Sequence, residues 1–260
     1  MITPTTLEDV VYNPPAYVWA ITIGGPAAVA AVTCAVLYSG AKRAGLGTRS
    51  ATLVAGAAAV LLGGWITASA VIAGHGWYEA QAGRVPWLAV AAAGCLATLL
   101  ALSRIPVVTR ALTAEGMAAR LLLPHSFRVA GVFFLLYMAF GHLPAVFALP
   151  AGLGDIAAGI AAPLAARRLA HGTGRRAALW FNAFGITDLV VATTLGALTG
   201  YGLLDVTPSA APIGELPLVL IPTATVPLLL ALHITSVSTL VRATRPAPLA
   251  DRLHFGATSS

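Results

Sequence analysis

The chain alternates long apolar runs with short polar gaps. Each run is about as long as the roughly 20 residues that a helix needs to cross the hydrocarbon core of a bilayer. The pattern therefore predicts an all-α, polytopic membrane protein with a bundle of seven transmembrane helices. The predicted spans are 17–39, 51–74, 86–103, 127–147, 150–166, 178–200 and 215–241.

Composition supports a membrane protein. Of the 260 residues, 58% are hydrophobic and only 9% are charged, and the mean hydropathy is +0.86. Soluble domains average about 25% charged residues, so this chain lacks the charged surface that a soluble domain of its size needs. The lipid bilayer is therefore the first predicted partner, and the predicted location is the inner (cell) membrane as a multi-pass protein.

Basic residues fall almost entirely on one side of the predicted bundle. Of the 15 Lys and Arg residues, only Arg84 lies in a gap on the other side. Cytoplasmic loops of membrane proteins carry an excess of Lys and Arg, so we predict an external N-terminus and a cytoplasmic C-terminus. The same rule accounts for the net charge of +6. Because these residues are spread among short loops without stacking aromatics, we predict no nucleic-acid binding.

The chain is predicted to form a single transmembrane domain over residues 1–260. Its parts are scaffold-like spans 1 to 3 (1–104), a cytoplasmic amphipathic connection (105–126), polar-lined spans 4 to 7 (127–241) and a cytoplasmic tail (242–260). In the first part, small residues predict close approach of neighbouring helices. They are Gly56, Gly63, Gly64 and Ala68. In the connection, an apolar stripe predicts a short helix lying in the inner interface. The stripe comprises Val108, Leu112, Met117 and Leu121.

Polar side chains are concentrated in spans 4 to 7. The candidate cavity-lining or proton-binding residues are Asp188, Asp155, His142, His233, Asn182, Thr225 and Thr223, and the candidates for support at the inner face are Arg128 and His125. An ionisable group inside the bilayer costs roughly 2.5–3.5 kcal/mol on insertion scales, so it normally faces the bundle interior and marks a functional site. Asp188 lies near the predicted midplane with no helix end to cap and no Lys or Arg at its depth. We therefore predict that Asp188 is the centre of the site.

Structural roles for the other candidates stay open. Asp155 follows PAGLG, where a carboxylate stabilises the N-terminus of a helix. His142 is expected either to anchor a turn or to meet Asp155 across that turn. For Arg128 we expect a side chain that extends to lipid headgroups. His233 and Asn182 satisfy one another by an interhelical hydrogen bond.

Three prolines predict an interrupted helix in span 7. Pro217, Pro222 and Pro227 recur every five residues, and each internal proline removes one helical hydrogen bond. The carbonyls of Leu218 and Thr223 are the acceptors that lose a partner. Irregular backbone at membrane depth persists only where protein or a water-filled cavity satisfies it, so we predict a kinked or unwound segment that lines a cavity.

Several stretches of this half resemble sequences of uncharacterised bacterial multi-pass membrane proteins. They are HSFRVAGVFF, LPAVFALPAGLGDI, LWFNAFGITDLVVA and PLVLIPTATVPLLLALHITS, within about residues 125–240. Spans 1 to 3 do not contribute to the resemblance. The resemblance implies the same multi-pass placement for the candidate site residues and assigns no activity.

These observations favour a carrier for a small solute or for protons. A noncatalytic sensor or accessory subunit, with a membrane protein partner or a second copy of the chain, is the alternative. A redox or metal protein with ligands such as His142 and His233 is a weaker hypothesis, because no haem-binding or metal motif occurs. The sequence contains no paired catalytic acids, no nucleophile elbow and no HEXXH helix that would indicate an enzyme. We therefore predict no catalytic residue, no metal and no cofactor.

Overall fold

The computed structural model describes residues 14–80 and 85–242 as a bundle of helices. The helices are α1 (Ala16–Arg43), α2 (Gly47–Gly74), α3 (Trp87–Leu102), α4 (Pro106–Thr113), α5 (Met117–Arg120), α6 (Val132–Ala139), α7 (Ala145–Ala170), α8 (Arg175–Gly200) and α9 (Val226–Arg242), with 3-10 helices at Leu123–Gly131 and Ala211–Gly214 and a π-helix at Ile221–Thr225. No strand occurs within the two described ranges, so the all-α prediction is confirmed. Arg84 and the tail from residue 243 lie outside the described residues.

Within residues 14–80 and 85–242, six helical segments are long and apolar enough to cross a membrane. Two of them are composite. The Arg128 helix, Met117–Ala139, joins α5, a 3-10 helix and α6, and the broken helix, Ile221–Arg242, joins the π-helix and α9. The third predicted span is the 16-residue helix α3, which is followed by α4 after a bend of 84°. The count rises to seven when this bent pair is taken as one span.

The predicted interfacial connection is largely part of the protein core. The Arg128 helix begins at Met117, just after Gly116 in the left-handed region (φ +73°), and not at residue 127. Met117 and Leu121 are fully buried, in one cluster with Leu112 of α4 and Val29 of α1. Their apolar stripe therefore packs on α1. We had expected it to contact lipid headgroups instead.

Helix α7 lies between two neighbours in the polar half of the bundle. It packs along the Arg128 helix on one side and along α8 on the other, and α8 in turn packs on α9. Helix α1 joins this group to α2, and α3 packs on α9 and on the π-helix. The middle parts of the Arg128 helix, α7, α8 and the broken helix therefore converge on one region of the interior.

Candidate functional site

Arg128 is a buried cation at the centre of this region. It lies in the 3-10 stretch Leu123–Gly131, about halfway along the 23-residue Arg128 helix. Only 2% of its side chain is exposed. The prediction that Arg128 extends to lipid headgroups is wrong, because the helix starts at Met117 and so places residue 128 at mid-length.

Arg128 binds carboxylates from two other helices. Its Nε donates to Asp155 Oδ1 on α7 at 2.6 Å, and its Nη2 donates to Asp188 Oδ2 on α8. Its Nη1 lies 3.5 Å from the Gly185 carbonyl and 3.5 Å from Nε2 of His233. A guanidinium presents five N–H donors in a fixed plane. One side chain can therefore connect four helical segments at this level.

The charges of these ion pairs do not balance. One guanidinium and two ionised carboxylates carry a net charge of −1, and no further Lys or Arg of the described chain pairs with either acid. Removing an ion from water costs several kcal/mol, which pairing offsets only when the partners satisfy one another. When both acids are ionised, the site therefore holds one negative charge that the described residues leave unmatched.

Two sequence-based expectations about the acids are wrong. Helix α7 begins at Ala145 and not near residue 150, so Asp155 lies almost three turns inside it and does not cap its N-terminus. Asp188 has a basic side chain at its own depth, because Arg128 lies beside it. Both errors follow from the true starts of the two helices, which bring Arg128 and Asp155 to the same level as Asp188.

His233 is oriented by the amide of Asn182. Asn182 Nδ2 donates to the Ala178 carbonyl at 2.7 Å and to Ser236 Oγ at 3.0 Å, so its Oδ1 is the atom that lies 2.8 Å from Nδ1 of His233. An amide oxygen only accepts, so Nδ1 carries the proton and Nε2 turns its lone pair towards Arg128. The predicted bond between His233 and Asn182 is confirmed, and it aims the imidazole at the guanidinium.

The residues linked in this way form what we call the Arg128 cluster. Its members are Arg128, Asp155, Asp188, His233 and Asn182. They come from the Arg128 helix, α7, α8 and α9. Arg128, Asp155, Asp188 and His233 lie close to the middle of their helices, and Asn182 lies in the first third of α8. The cluster is thus a polar connection between four helices in the buried interior of the bundle.

His125 packs against this cluster. Its ring stacks on His233 with centroids 3.7 Å apart and planes inclined by 28°, and the ring of Phe181 meets it edge-on at 5.6 Å. His125 is fully buried, and neither of its ring nitrogens has a hydrogen-bond partner in the described chain. His125 was expected to support the site from the inner face. It lies instead in the interior and packs against His233.

Two glycines leave the space that the cluster occupies. A Cβ added at Gly154 would overlap the carboxylate of Asp188, and one added at Gly185 would overlap the ring of His233. Small residues at helix interfaces allow backbones to approach closely in membranes. Here they allow charged and aromatic side chains to cross from one helix to the backbone of the next.

The glycines of α2 have no such role. A Cβ added at Gly56, Gly63 or Gly64 would meet no atom within 4 Å. Neighbouring positions face outwards, with Leu53 65% and Val60 75% exposed. The prediction that these small residues bring helices together is wrong, because this face of α2 has no helix against it in the described chain.

The predicted break in the proline-rich helix is confirmed by the π-helix Ile221–Thr225. Pro227 has no N–H to offer the Thr223 carbonyl, which instead accepts from Trp65 Nε1 on α2 at 2.8 Å. Ser69 Oγ, also on α2, donates to Thr223 Oγ1 at 2.7 Å, and Thr223 Oγ1 donates to a carbonyl one turn earlier. Helix α2 therefore satisfies the irregular backbone that the prolines create.

Two other positions of this segment behave differently. The Leu218 carbonyl, expected to lack a partner, accepts from the Ile221 N–H at 2.9 Å, because the chain tightens into a turn before the π-helix. The Thr225 hydroxyl is buried and has no partner among the described residues.

His142 lies apart from the cluster. It precedes α7, whose start at Ala145 is ten residues, or about 15 Å of helix, before Asp155. Its ring packs against that of Tyr137 with centroids 5.0 Å apart. The expected contact between His142 and Asp155 is therefore absent, since the helix starts earlier than the sequence suggested.

A cavity of about 300 Å³ reaches the cluster between α3, α7, α8 and the broken helix. Its wall is mostly apolar and includes Ala89, Ala92, Phe134, Phe147, Ala192 and Gly196. A smaller cavity of about 70 Å³ against α1 is lined in part by Arg128, Asp155 and Thr225. Asp155 borders both cavities, and Asp188 borders neither of them.

The residues of α2 that hold the broken helix, Trp65 and Ser69, were not predicted from the sequence. Tryptophans of membrane proteins concentrate at the interfaces, but Trp65 lies well inside α2. A buried indole N–H needs an acceptor, so its position was a usable indication of an irregular helix nearby. Ser69 carried no comparable indication.

The described residues contain no group of three or more His, Cys, Asp or Glu side chains that could hold a metal ion. The two histidines considered as cofactor ligands are far apart in the fold. His142 lies in the turn before α7, whereas His233 lies at the middle of the broken helix.

The part of the chain that builds the site matches a family model. The model is described as Domain of unknown function (DUF8737) and matches residues 85–241. The chain belongs to this family. The matched region contains the whole Arg128 cluster, whereas α1 and α2, with Trp65 and Ser69, lie outside it. No curated protein and no solved structure matches the chain.

Proposed function

We propose that this protein is a seven-span carrier of the inner membrane that moves a small solute in exchange with protons, or together with them, through the Arg128 cluster. The observation that carries the proposal is that one buried guanidinium is shared by two carboxylates. The site therefore has a net charge of −1 when both acids are ionised. One proton or one monovalent cation neutralises it.

This charge matters because we place the cluster deep inside the bilayer. An unmatched charge inside a bilayer is costly, so the state of the site with a bound proton or cation is favoured over the empty, charged state. Loading and release of that charge would change the ion pairs between the Arg128 helix, α7 and α8. A carrier requires such a coupling between occupancy and helix contacts.

The cavities supply access. The larger one leads to Asp155 and the smaller one reaches Arg128 and Asp155 next to α1. The π-helix lies beside both cavities through Ile221 and gives the broken helix a place to bend. Broken helices at the midplane are a recurring feature of transporter binding sites.

The proposed orientation has an external N-terminus and a cytoplasmic C-terminus, as the distribution of basic residues favours. Single cysteines test it in a background with Cys34→Ala and Cys95→Ala. Leu203→Cys, in the exposed connection after α8, should react with a membrane-impermeant thiol reagent in intact cells. Thr173→Cys, in the turn before α8, should react only after the cells are opened. The reverse pattern would contradict the orientation.

Proton coupling is tested in reconstituted vesicles with a trapped pH-sensitive dye. Organic cations, organic anions and neutral solutes are added separately under an imposed pH gradient. We expect one of these classes to accelerate proton flux above the rate in protein-free vesicles. Asp188→Asn should abolish the acceleration, because it leaves Arg128 and Asp155 as a balanced pair.

The matched control is Asp205→Asn, which changes an exposed acid outside the helices and should leave the flux unchanged. Size-exclusion chromatography establishes that each variant is folded. Undiminished flux with Asn at position 188, or no solute-dependent flux in the wild type, would refute the proposal.

A further inference from the structure

The two acids of the cluster differ in their access to the larger cavity. The side chain of Asp155 is 18% exposed, against 9% for Asp188 and 2% for Arg128. Arg128 donates to Oδ1 of Asp155, and no described residue donates to its second oxygen. Arg128 likewise donates to only one oxygen of Asp188, but Asp188 does not line the larger cavity. Asp155 is thus the acid of the cluster that borders this cavity with one carboxylate oxygen unpaired.

The rest of the cavity wall is suited to an apolar group. Apart from Asp155, no lining residue is charged at neutral pH, and the wall combines small side chains with the rings of Phe134 and Phe147. Its volume of about 300 Å³ is at the lower end of the range for small-molecule pockets. Such a space accommodates an aromatic ring or a short alkyl chain.

We infer that this cavity binds an amphipathic organic monocation, with its ammonium group at the free oxygen of Asp155 and its apolar body between α3, α7 and α8. Charge decides the class of ligand. An anion would meet a site that is already negative, and a neutral solute would leave the carboxylate unmatched. A monocation brings the charge of the site to zero.

This inference rests on the proposed carrier function and names its substrate class. Because one positive charge neutralises the site, the ammonium and a proton compete for it. Binding of one cation therefore releases up to one proton from the site to the solvent. Exchange of these two occupants is the coupling that an antiporter of organic cations needs.

The test uses the full-length protein in lipid nanodiscs and radiolabelled 2-phenylethylamine, which is a cation near neutral pH. Nanodiscs without protein correct for partition into lipid. We expect saturable binding of the amine, and no comparable binding of neutral 2-phenylethanol or anionic phenylacetate. Asp155→Asn should weaken binding by about tenfold or more, since a buried charge pair is lost.

A second pair of variants does not touch the ion pairs. Ala92→Phe places a ring in the cavity and should abolish amine binding, whereas Ala97→Phe on the outer face of the same helix α3 should retain it. Proton release measured in weak buffer should accompany binding in the wild type and in Ala97→Phe. Equal binding of the alcohol or of phenylacetate, or amine binding that survives both Asp155→Asn and Ala92→Phe, would overturn the inference.

The flux experiment separates this inference from the carrier proposal. If the amine does not bind but another class of solute drives proton flux that depends on Asp188, the organic-cation site is refuted and the carrier stands. If the amine binds at Asp155 but no solute drives proton flux, the cation site is supported and the carrier is refuted.

Discussion

Helices α2 and α7 have similar lengths and are both apolar enough to cross a membrane, yet the bundle uses them differently. Helix α2 buries three of its 28 residues, whereas α7 buries nine of its 26. Lipid is as apolar as a leucine side chain, so hydrophobicity does not draw one helix to another inside a bilayer. The difference arises because α7 carries Asp155 and glycines that fit neighbouring helices. Polar contacts and close packing, and not apolar character, therefore decide which helices form the interior.

The largest expected effect comes from replacing Arg128, whose ion pairs connect α7 and α8 to the Arg128 helix. Arg128→Met leaves Asp155 and Asp188 buried without a cation, and removing one partner of a buried pair costs about 3–5 kcal/mol. We expect a large fall in the melting temperature in detergent. Adding Asp155→Asn and Asp188→Asn to the same chain should restore most of it, because no buried charge remains.

The control for this experiment is Arg110→Met, which removes an exposed arginine of α4 and should leave the melting temperature unchanged. Equal stability of the wild type and Arg128→Met would show that the cluster does not stabilise the bundle.

The next effect compares glycines from the two regions. Gly185→Ala forces a Cβ into the ring of His233, and overpacking of this kind costs about 1–3 kcal/mol. Gly63→Ala on α2 meets open space and should be neutral, or stabilising by up to about 1 kcal/mol through helix propensity. Thermal unfolding of both variants measures the difference. A greater loss of stability at position 63 than at position 185 would reverse our assignment of the interior.

A smaller effect is expected where α2 does contact the interior. Trp65→Phe removes the N–H that binds the Thr223 carbonyl, and a buried acceptor left without a donor costs about 1–2 kcal/mol. Trp180→Phe is the matched control, because Trp180 is 74% exposed on α8. Unfolding by SDS titration compares them. If the two variants lose stability equally, the indole hydrogen bond does not support the π-helix.

The smallest effect lies outside the helices. Burial, with the nearby charge of Glu79, raises the pKa of Glu215 above its ordinary value near 4.5. A raised pKa in the folded state means that the stabilising contribution is complete below the ordinary value and is lost as the pH rises through the raised value. Glu215→Gln should therefore melt at a slightly higher temperature than the wild type at pH 7, and at the same temperature at a pH well below 4.5. Identical melting temperatures at both pH values would contradict this.

Sequence periodicity located most of the long helices but misplaced two starts that matter for the site. The stretch before residue 127 contains Pro106, Gly116 and an amphipathic stripe, a pattern that equally fits an interfacial helix and the first turns of a longer buried one. Only the presence of α1 against Met117 decides between them. Likewise Pro150 is compatible with a helix start, but α7 continues through it from Ala145.

The sequence by itself determined the all-α architecture, the positions of most apolar helices and the break near Pro222 and Pro227, and it offered the bond between His233 and Asn182 as one alternative for these residues. These features depend on hydrophobic length, on a missing N–H and on the few polar side chains available in an apolar environment. Tertiary structure alone decided that Arg128 binds Asp155 and Asp188, and that Asp155 is the acid facing the larger cavity. Pairing of charges from different helices depends on axial register, and a shift of a few residues in where a helix begins moves a side chain by a whole turn.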